Sequence, residues 1–225
     1  MKNEIQEKEK EEKITDKLLD SVAKWVYINE DKYKVILGTG FFLKIKINQE
    51  EVLFFCTTND SLKALGLYNK EIMLILNNKD EKGEHIKIHF NLYKQNKKQI
   101  NDFVFIEILE FEIPDNLTLS FLEVEETNLF NPSKYINSQI ILAGYPKTNI
   151  GETDVKPILN FGKIKRIKEG NNVTKILYTL ETNNCSCGDP VCLIDENNKL
   201  KLIAIHQGYD EHEDGDYITG IWFHL

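Results

Sequence analysis

The chain has 225 residues, of which 41% are hydrophobic and 28% charged, and its formal net charge is -8. This balance is typical of a globular protein that is long enough to bury one large core or two smaller ones. The acidic surface carries no basic stripe, which argues against nucleic-acid binding. No apolar run predicts a membrane span or an export signal, so we expect a cytoplasmic protein that does not bind membranes.

Residues 1–20 predict a charged N-terminal helical leader. Its apolar positions are few (Ile5, Ile14, Leu18 and Leu19), too few for a continuous buried stripe. We therefore expect a largely solvated helix that docks on the remainder of the chain only at its end. A helix that binds a partner is the alternative.

From Ser21 onward, short runs rich in Ile, Val, Phe, Leu and Tyr alternate with polar turns. Such a pattern is typical of an all-β sandwich or barrel and not of alternating β/α units. A short helix is also predicted over Asn59–Leu67. The predicted strands are Val22–Ile28, Lys34–Ile47, Val52–Thr57, Ile72–Leu76, His85–Leu92, Phe103–Leu109, Gln139–Tyr145, Leu159–Ile167, Thr174–Thr179, Pro190–Asp195, Lys199–His206 and Ile218–Phe223.

These strands form two groups, separated by a weakly periodic segment that contains Pro114, Asn116 and Pro132. Prolines and weak periodicity mark linkers. We therefore predict a first β-barrel over residues 21–112, an inter-barrel linker over 113–134 and a second β-barrel over 135–225. The predicted fold is all-β, with two six-stranded antiparallel β-barrels, a cleft between them and a short N-terminal helix.

Four cysteines occur in the chain, and in a reducing compartment they are not expected to form a disulfide framework. The pair Cys185 and Cys187 has no second Cys/His pair at zinc-ligand spacing, so we predict neither a metal nor a cofactor. A metal- or redox-sensing thiol module built on Cys185, Cys187 and Cys192 remains an outside alternative.

The segment from Cys185 to Val191 (CSCGDPV) carries the clearest chemical signal. A thiol that is followed by glycine, on a tight turn before an apolar strand, is exposed, so it can attack a substrate. The backbone N–H groups around it can stabilise an oxyanion. We predict Cys187 as the nucleophile and the N–H groups of Cys185, Ser186 and Cys187 as an oxyanion hole. A small cysteine that only packs is the alternative.

Five segments together resemble the chymotrypsin-like (trypsin-like serine/cysteine) peptidases, in particular their intracellular and viral 3C-like branches. The resemblance covers nearly the whole chain after the leader, and it implies the double-barrel fold. It also implies that Asp102 holds the position of the acid and Cys187 that of the nucleophile. In chain order the segments are Gly38–Phe42 (GTGFF), Val52–Leu62 (VLFFCTTNDSL), Asn101–Ile108 (NDFVFIEI), Thr182–Val191 (TNNCSCGDPV) and Ile203–Gly208 (IAIHQG).

Asp60 stands where the resemblance implies the histidine base. A carboxylate with a pKa near ~4 is a poor base toward a thiol with a pKa near ~8.5. A second carboxylate beside Asp102 would also raise the pKa of one of the pair instead of activating Cys187. In addition, Cys185 replaces a usual glycine and Asp189 a small residue. We therefore expect a catalytically impaired homologue that retains a cleft for a peptide or protein ligand.

The other histidines are not predicted to replace this base. Side chains of a strand alternate between its two faces, so His85 and His89, four residues apart, share one face of a predicted strand. We expect that face to be solvated. His212 and His224 are expected at the surface.

His206 and Gly208 belong to a segment that resembles the wall of the substrate pocket in the 3C-like branch. There, a histidine and a threonine five residues before the nucleophile accept a glutamine side chain, and Thr182 has that spacing from Cys187. A hydroxyl and an imidazole N–H can both donate to an amide oxygen. A core histidine bound by the backbone is the alternative for His206. An active 3C-like cysteine endopeptidase that uses Cys187 and this pocket is the alternative function.

Overall fold

The computed structural model describes most of the chain from residue 12 to residue 222. The described residues are 12–28, 34–59, 71–79, 84–92, 95–100, 102–109, 113, 117, 119–124, 132–146, 156–170, 174–180, 187–195, 199–212 and 215–222.

Helix α1 (residues 12–20) and a 3-10 helix (Pro132–Tyr135) accompany a chain made mainly of β-strands. The strands are β1 (Val22–Ile28), β2 (Lys34–Ile47), β3 (Glu50–Thr58), β4 (Glu71–Lys79), β5 (His85–Asn91), β6 (Lys97–Ile100), β7 (Phe103–Glu107), β8 (Gln139–Gly144), β9 (Ile158–Glu169), β10 (Thr174–Leu180), β11 (Pro190–Ile194), β12 (Leu200–His212) and β13 (Gly215–Trp222).

The first β unit is a seven-stranded antiparallel sheet with the strand order β5-β4-β1-β2-β3-β7-β6. Strands β2 and β3 form a hairpin in which Ile47 pairs with Glu50, so the loop has two residues. Both loop residues, Asn48 and Gln49, have positive φ (51° and 73°), as the twist of a two-residue hairpin requires. Large buried apolar side chains of this sheet, among them Trp25, Phe42 and Phe55, pack into one core cluster.

The second β unit is a closed barrel with the strand order β10-β13-β12-β11-β8-β9. Its neighbouring strands pair antiparallel, and its core includes Ile140, Tyr178, Val191 and Ile203. The ladder between β12 and β13 shifts register between His206 and Gly208. This irregularity lies on the strand that the sequence places beside a substrate pocket.

The all-β prediction with two β units and a short N-terminal helix is confirmed. The bounds predicted for β1 and β2 are those observed. Strand β6 was not predicted, because its residues Lys97-Lys98-Gln99 are polar. This edge strand makes the first sheet seven-stranded and not six-stranded. Of the helix predicted over Asn59–Leu67, only Asn59 belongs to the described residues, so this helix stays a prediction.

Helix α1 docks where the two β units meet. Leu18 is fully buried and Ile14 is 9% exposed. Both belong to an apolar cluster that includes Phe41 of β2 and also Ile141 and Leu202 of the second barrel. The C-terminal part of the leader is therefore part of the core between the units, and residues 1–11 lie outside the described residues.

The segment 119–124 also contacts both units. Leu122 forms a parallel bridge with Leu43 of β2, and Val124 forms one with Leu202 of β12. The exact bounds predicted for the linker and the barrels stay predictions. None of the helices in the described part of the chain is long and apolar enough to cross a membrane.

We predict that Leu18→Ala destabilises the whole fold, because it removes a fully buried side chain at the junction of both units. The expected loss in free energy of unfolding is about 2–5 kcal/mol, measured by urea denaturation. Ile47→Ala is the matched control, since Ile47 is 46% exposed, and it should cost no more than about 0.5 kcal/mol. Equal losses in the two variants would show that α1 does not stabilise the junction.

Candidate functional site

The turn that carries Cys187 is held against strand β12 by two backbone hydrogen bonds. Gly188 N donates to His206 O at 3.0 Å, and His206 N donates to Asp189 O at 2.9 Å. Gly188 has φ of 101°, a conformation that L side chains rarely adopt. The glycine after Cys187 is therefore required by the backbone of this turn, which presents a half-buried thiol.

The Gly38-Thr39-Gly40 motif brings the first unit against this turn. A Cβ added at Gly188 would overlap the carbonyl oxygen of Thr39, so the two backbones are in direct contact. That carbonyl also accepts the hydroxyl of Thr57 at 3.0 Å, and the Thr39 hydroxyl accepts Tyr145 N of the second unit at 2.8 Å. A Cβ at Gly38 would lie 3.2 Å from Cys187 O. The motif thus explains how the two units approach closely at the nucleophile turn.

Asp102 lies at the start of β7, beside the end of β3. Thr58 pairs with Phe103, and Asn59 N donates to Asp102 O at 2.8 Å. The backbone just before Asp60 is therefore bonded to the backbone of the predicted acid. Asp60 itself lies outside the described residues, and its predicted role stays a prediction.

Gln207 connects the predicted acid with the predicted nucleophile. The Cys187 thiol donates to Gln207 O, with 3.0 Å from Sγ to the oxygen. The side-chain amide of Gln207 donates to Asp102, with 2.9 Å from Nε2 to Oδ2. Both bonds are partly buried. The structure therefore brings Asp102 and Cys187 to one site, one from each unit, through a residue that the sequence did not indicate.

Burial separates the remaining described cysteines from Cys187. Cys56 and Cys192 are fully buried. Burial raises the pKa of both thiols, and the charge of Lys17 opposes this only in part at Cys192. Thiols of this kind are poor nucleophiles and poor metal ligands. Cys185 and Ser186, predicted for the oxyanion hole, lie outside the described residues. No group of three or more metal-ligating side chains occurs among the residues that are described.

His206 points into the second barrel, where its ring is bonded to a tyrosine. The ring is 3% exposed, and its Nδ1 lies 2.7 Å from the hydroxyl of the fully buried Tyr178. When that hydroxyl donates to Nδ1, the ring proton is on Nε2, which is then a donor. Thr182, its predicted partner in a glutamine pocket, lies outside the described residues. The pocket stays a prediction.

Gly208 follows the bulge with φ of 141°. A Cβ added there would meet no atom of the described residues within 4 Å. The predicted role of Gly208 in a cleft wall stays a prediction.

Asp189 is fully buried, and glycine at position 144 makes room for it. A Cβ added at Gly144 would overlap the carboxylate of Asp189. The sequence indicated only that Asp189 replaces a small residue. The structure shows that a small residue on the neighbouring strand β8 accommodates it.

The remaining histidine predictions have different outcomes. His89 is on an exposed face of β5, where Nδ1 lies 3.5 Å from Glu71 Oε1. His85 is half-buried and its Nδ1 lies 2.8 Å from Leu76 O, so the prediction of a shared solvated face was wrong for His85. Of His212 the structure describes only the backbone, and His224 lies outside the described residues.

The residues in contact with the candidate site that sequence reasoning missed are Gln207, Tyr178 and Gly144. A glycine inside a strand is a recognised sign of a bulge, so Gln207-Gly208 carried a signal for the irregularity, although not for the contact with Asp102. Tyr178 and Gly144 are distant in sequence from the residues they contact, and nothing local marks them.

No protein-family model matches the sequence, and no curated protein sequence matches it. Two solved structures share its fold along most of both chains. The tobacco vein mottling virus protease has a TM-score of 0.51 and 13% identity, over 92% of this chain and 78% of that one. The scabies mite inactivated protease paralogue S-D1 has a TM-score of 0.53 and 13% identity, over 90% of this chain and 86% of that one.

A third similar structure is much longer. It is the passenger domain of the plasmid-encoded toxin, an autotransporter enterotoxin from enteroaggregative Escherichia coli, with a TM-score of 0.50 and 11% identity. The match covers 83% of this chain and 20% of that chain, so this chain spans about a fifth of its length. Identities this low bear on the fold and not on activity. Together with the strand topology, the comparisons show that the chain has the fold of the chymotrypsin-like peptidases.

Proposed function

We propose that this chain is a chymotrypsin-like peptidase homologue with impaired catalysis that retains a cleft for a peptide or protein ligand. One observation carries the proposal. At the site where Asp102 and Cys187 come together, the thiol donates to a backbone carbonyl and the carboxylate accepts from an amide of the same residue, Gln207.

Neither of these groups can serve as a general base. A neutral amide and a peptide carbonyl do not take up a proton near neutral pH, whereas catalysis by a thiol requires a neighbouring group that does. Asp60, at the position that the resemblance assigns to the base, would be a carboxylate next to Asp102. Loss of the base in a triad typically costs about four to six orders of magnitude in rate.

The residues before the nucleophile add a second reason for impaired catalysis. An oxyanion hole needs a backbone N–H that points at the developing charge. The resemblance implies glycine at the position that Cys185 occupies, because glycine readily adopts the backbone conformation that points the N–H at the oxyanion. A side chain at this position favours a different backbone conformation.

A retained cleft is supported by the geometry around β12. Among the described residues nothing lies within 4 Å of a Cβ built at Gly208, and the Tyr178 hydroxyl, when it donates to His206 Nδ1, selects the tautomer with the ring proton on Nε2. A buried imidazole N–H favours a ligand with an amide oxygen, such as a glutamine side chain. We propose that a peptide lies along this strand with a polar side chain toward His206.

The rival enzyme function is an active 3C-like cysteine endopeptidase that uses Cys187. The half-buried position of the thiol on a tight turn and its proximity to Asp102 favour it. It requires an unconventional base. The thiol-sensor alternative is disfavoured by Cys192, which is fully buried and has a raised pKa.

We predict that the purified protein cleaves a peptide library no faster than its Cys187→Ala variant, because the Gln207 carbonyl to which the thiol donates cannot take up its proton. Asp60→His should raise Cys187-dependent cleavage by roughly 10²-fold, since general-base catalysis contributes about 10²–10⁴. The control is Asp60→His/Cys187→Ala, which should lose the gain. Cleavage by the unaltered protein that disappears in Cys187→Ala would establish the rival endopeptidase instead.

Binding tests the second half of the proposal. We expect His206→Ala to weaken binding of a glutamine-containing peptide by about tenfold, because it removes one buried hydrogen bond to the ligand. His89→Ala is the matched control, since this histidine lies exposed on β5. Fluorescence polarisation with a labelled peptide measures both. Equal affinities in the two variants would contradict a ligand site at His206.

A further inference from the structure

We propose that Gln207 is a positioning residue that clamps Asp102 to the nucleophile turn. The inference rests on the proposed function, a homologue with impaired catalysis. It adds that a specific residue holds Asp102 and Cys187 together in a non-catalytic state.

The first step is the pattern of hydrogen bonds. In a working triad the base accepts a hydrogen bond from the nucleophile and donates one to the acid. Here Gln207 contacts both groups through two separate parts: its backbone carbonyl accepts from Cys187 at 3.0 Å, and its side-chain amide donates to Asp102 at 2.9 Å. One residue therefore links the predicted acid to the nucleophile turn, although no single group of it bonds to both.

The second step explains how Gln207 reaches both partners. Along β12, His206 pairs with Gly220 and Gly208 pairs with Thr219, so Gln207 is the extra residue of a β-bulge. A bulge bends the strand and redirects the side chain of the extra residue. The Thr219 hydroxyl also donates to Gly208 O at 3.3 Å, which fixes the strand just after the bulge. The register shift thus makes Gln207 available to the site.

The third step is chemical. The backbone carbonyl and the side-chain amide of Gln207 can form hydrogen bonds, but neither takes up the proton of a thiol. The Cys187 thiol must break its bond to Gln207 O before it can ionise. Because the bonds are partly buried, water replaces them less readily than at the surface. Gln207 therefore holds Cys187 as a protonated donor and keeps Asp102 occupied.

The clamp also joins the two units, because Asp102 precedes β7 of the first and Gln207 lies in β12 of the second. Removal of the amide should release the bulge, and with it the carbonyl that accepts from the thiol. The observable consequence is faster chemical modification of Cys187.

The experiment measures the rate of alkylation of Cys187 by iodoacetamide in the full chain, followed by mass spectrometry. All variants carry Cys185→Ser, so that the label reports on one sulfur, and Cys56 and Cys192 are fully buried. We expect Gln207→Ala to react on the order of three- to tenfold faster, because it removes the bond from Nε2 to Asp102 that holds the bulge, and with it the backbone carbonyl that accepts from the thiol. Gln139→Ala, at an exposed glutamine of β8, is the matched control and should react at the starting rate.

Variants of Asp102 test the same bond from the other side. Asp102→Ala should accelerate labelling as Gln207→Ala does, and the double variant should react no faster than the faster single variant, because both remove one interaction. Asp102→Asn keeps an oxygen that can accept from Gln207, so its rate should stay near that of the starting protein. This rescue would not occur if Asp102 mattered only through its charge.

Three results would overturn the clamp: an unchanged rate in Gln207→Ala, additive effects in the double variant, or equal rates in Asp102→Ala and Asp102→Asn. Labelling of Cys56 or Cys192 would show that a variant is unfolded. If Gln207→Ala unfolds, the comparison of Asp102→Ala with Asp102→Asn, in which Gln207 is unchanged, tests the clamp instead. Because the readout is alkylation, peptide cleavage by the unaltered protein would defeat the proposed function without changing this result.

Discussion

The arrangement of the site depends on the close contact between the backbone of Thr39 and the turn at Gly188. The carbonyl oxygen of Thr39 lies where a side chain at position 188 would be. The side-chain hydroxyl of Thr39 accepts a hydrogen bond from the backbone N–H of Tyr145 across the junction. Acid and nucleophile belong to different units, so their separation is set by how these units meet. Two glycines and one threonine in β2, together with Gly188, allow that approach. The distances at Gln207 follow from it.

Close packing of the two units brings Asp102 and Cys187 to one site. Both are bonded to Gln207, the thiol to its backbone carbonyl and the carboxylate to its side-chain amide, and neither of these groups takes up a proton near neutral pH. Positioning and reactivity are separable properties, because positioning depends on backbone contacts of many residues, and reactivity depends on the proton affinity of one side chain.

Local sequence was sufficient to predict much of the fold. The bounds of β1 and β2 were predicted correctly because Trp25, Phe41 and Phe42 give these strands dense apolar runs that end at polar turns. Strand β6 was missed because an edge strand needs no apolar residues, and its pairing with β7 is a matter of backbone bonds. The half-buried state of His85 was missed because period-two alternation does not show which carbonyl a ring will reach.

The candidate site was only partly predictable. Asp102 and Cys187 could be found because they belong to motifs with a local signature. The contact of Gln207 with Asp102 could not, because it depends on the register between β12 and β13, which is decided by pairing along the whole barrel. The bond between Tyr178 and His206 also joins two strands that lie far apart in the chain.

The shared volume at Gly144 and Asp189 has a consequence for how this chain can change. The carboxylate fills the space that any side chain at position 144 would need, so the two positions are sterically tied. A lineage could acquire a larger residue at 144 only after the residue at 189 had become smaller, and in that order neither single step creates a clash. Surveys of related chains should therefore find bulk at one of these two sites and never at both.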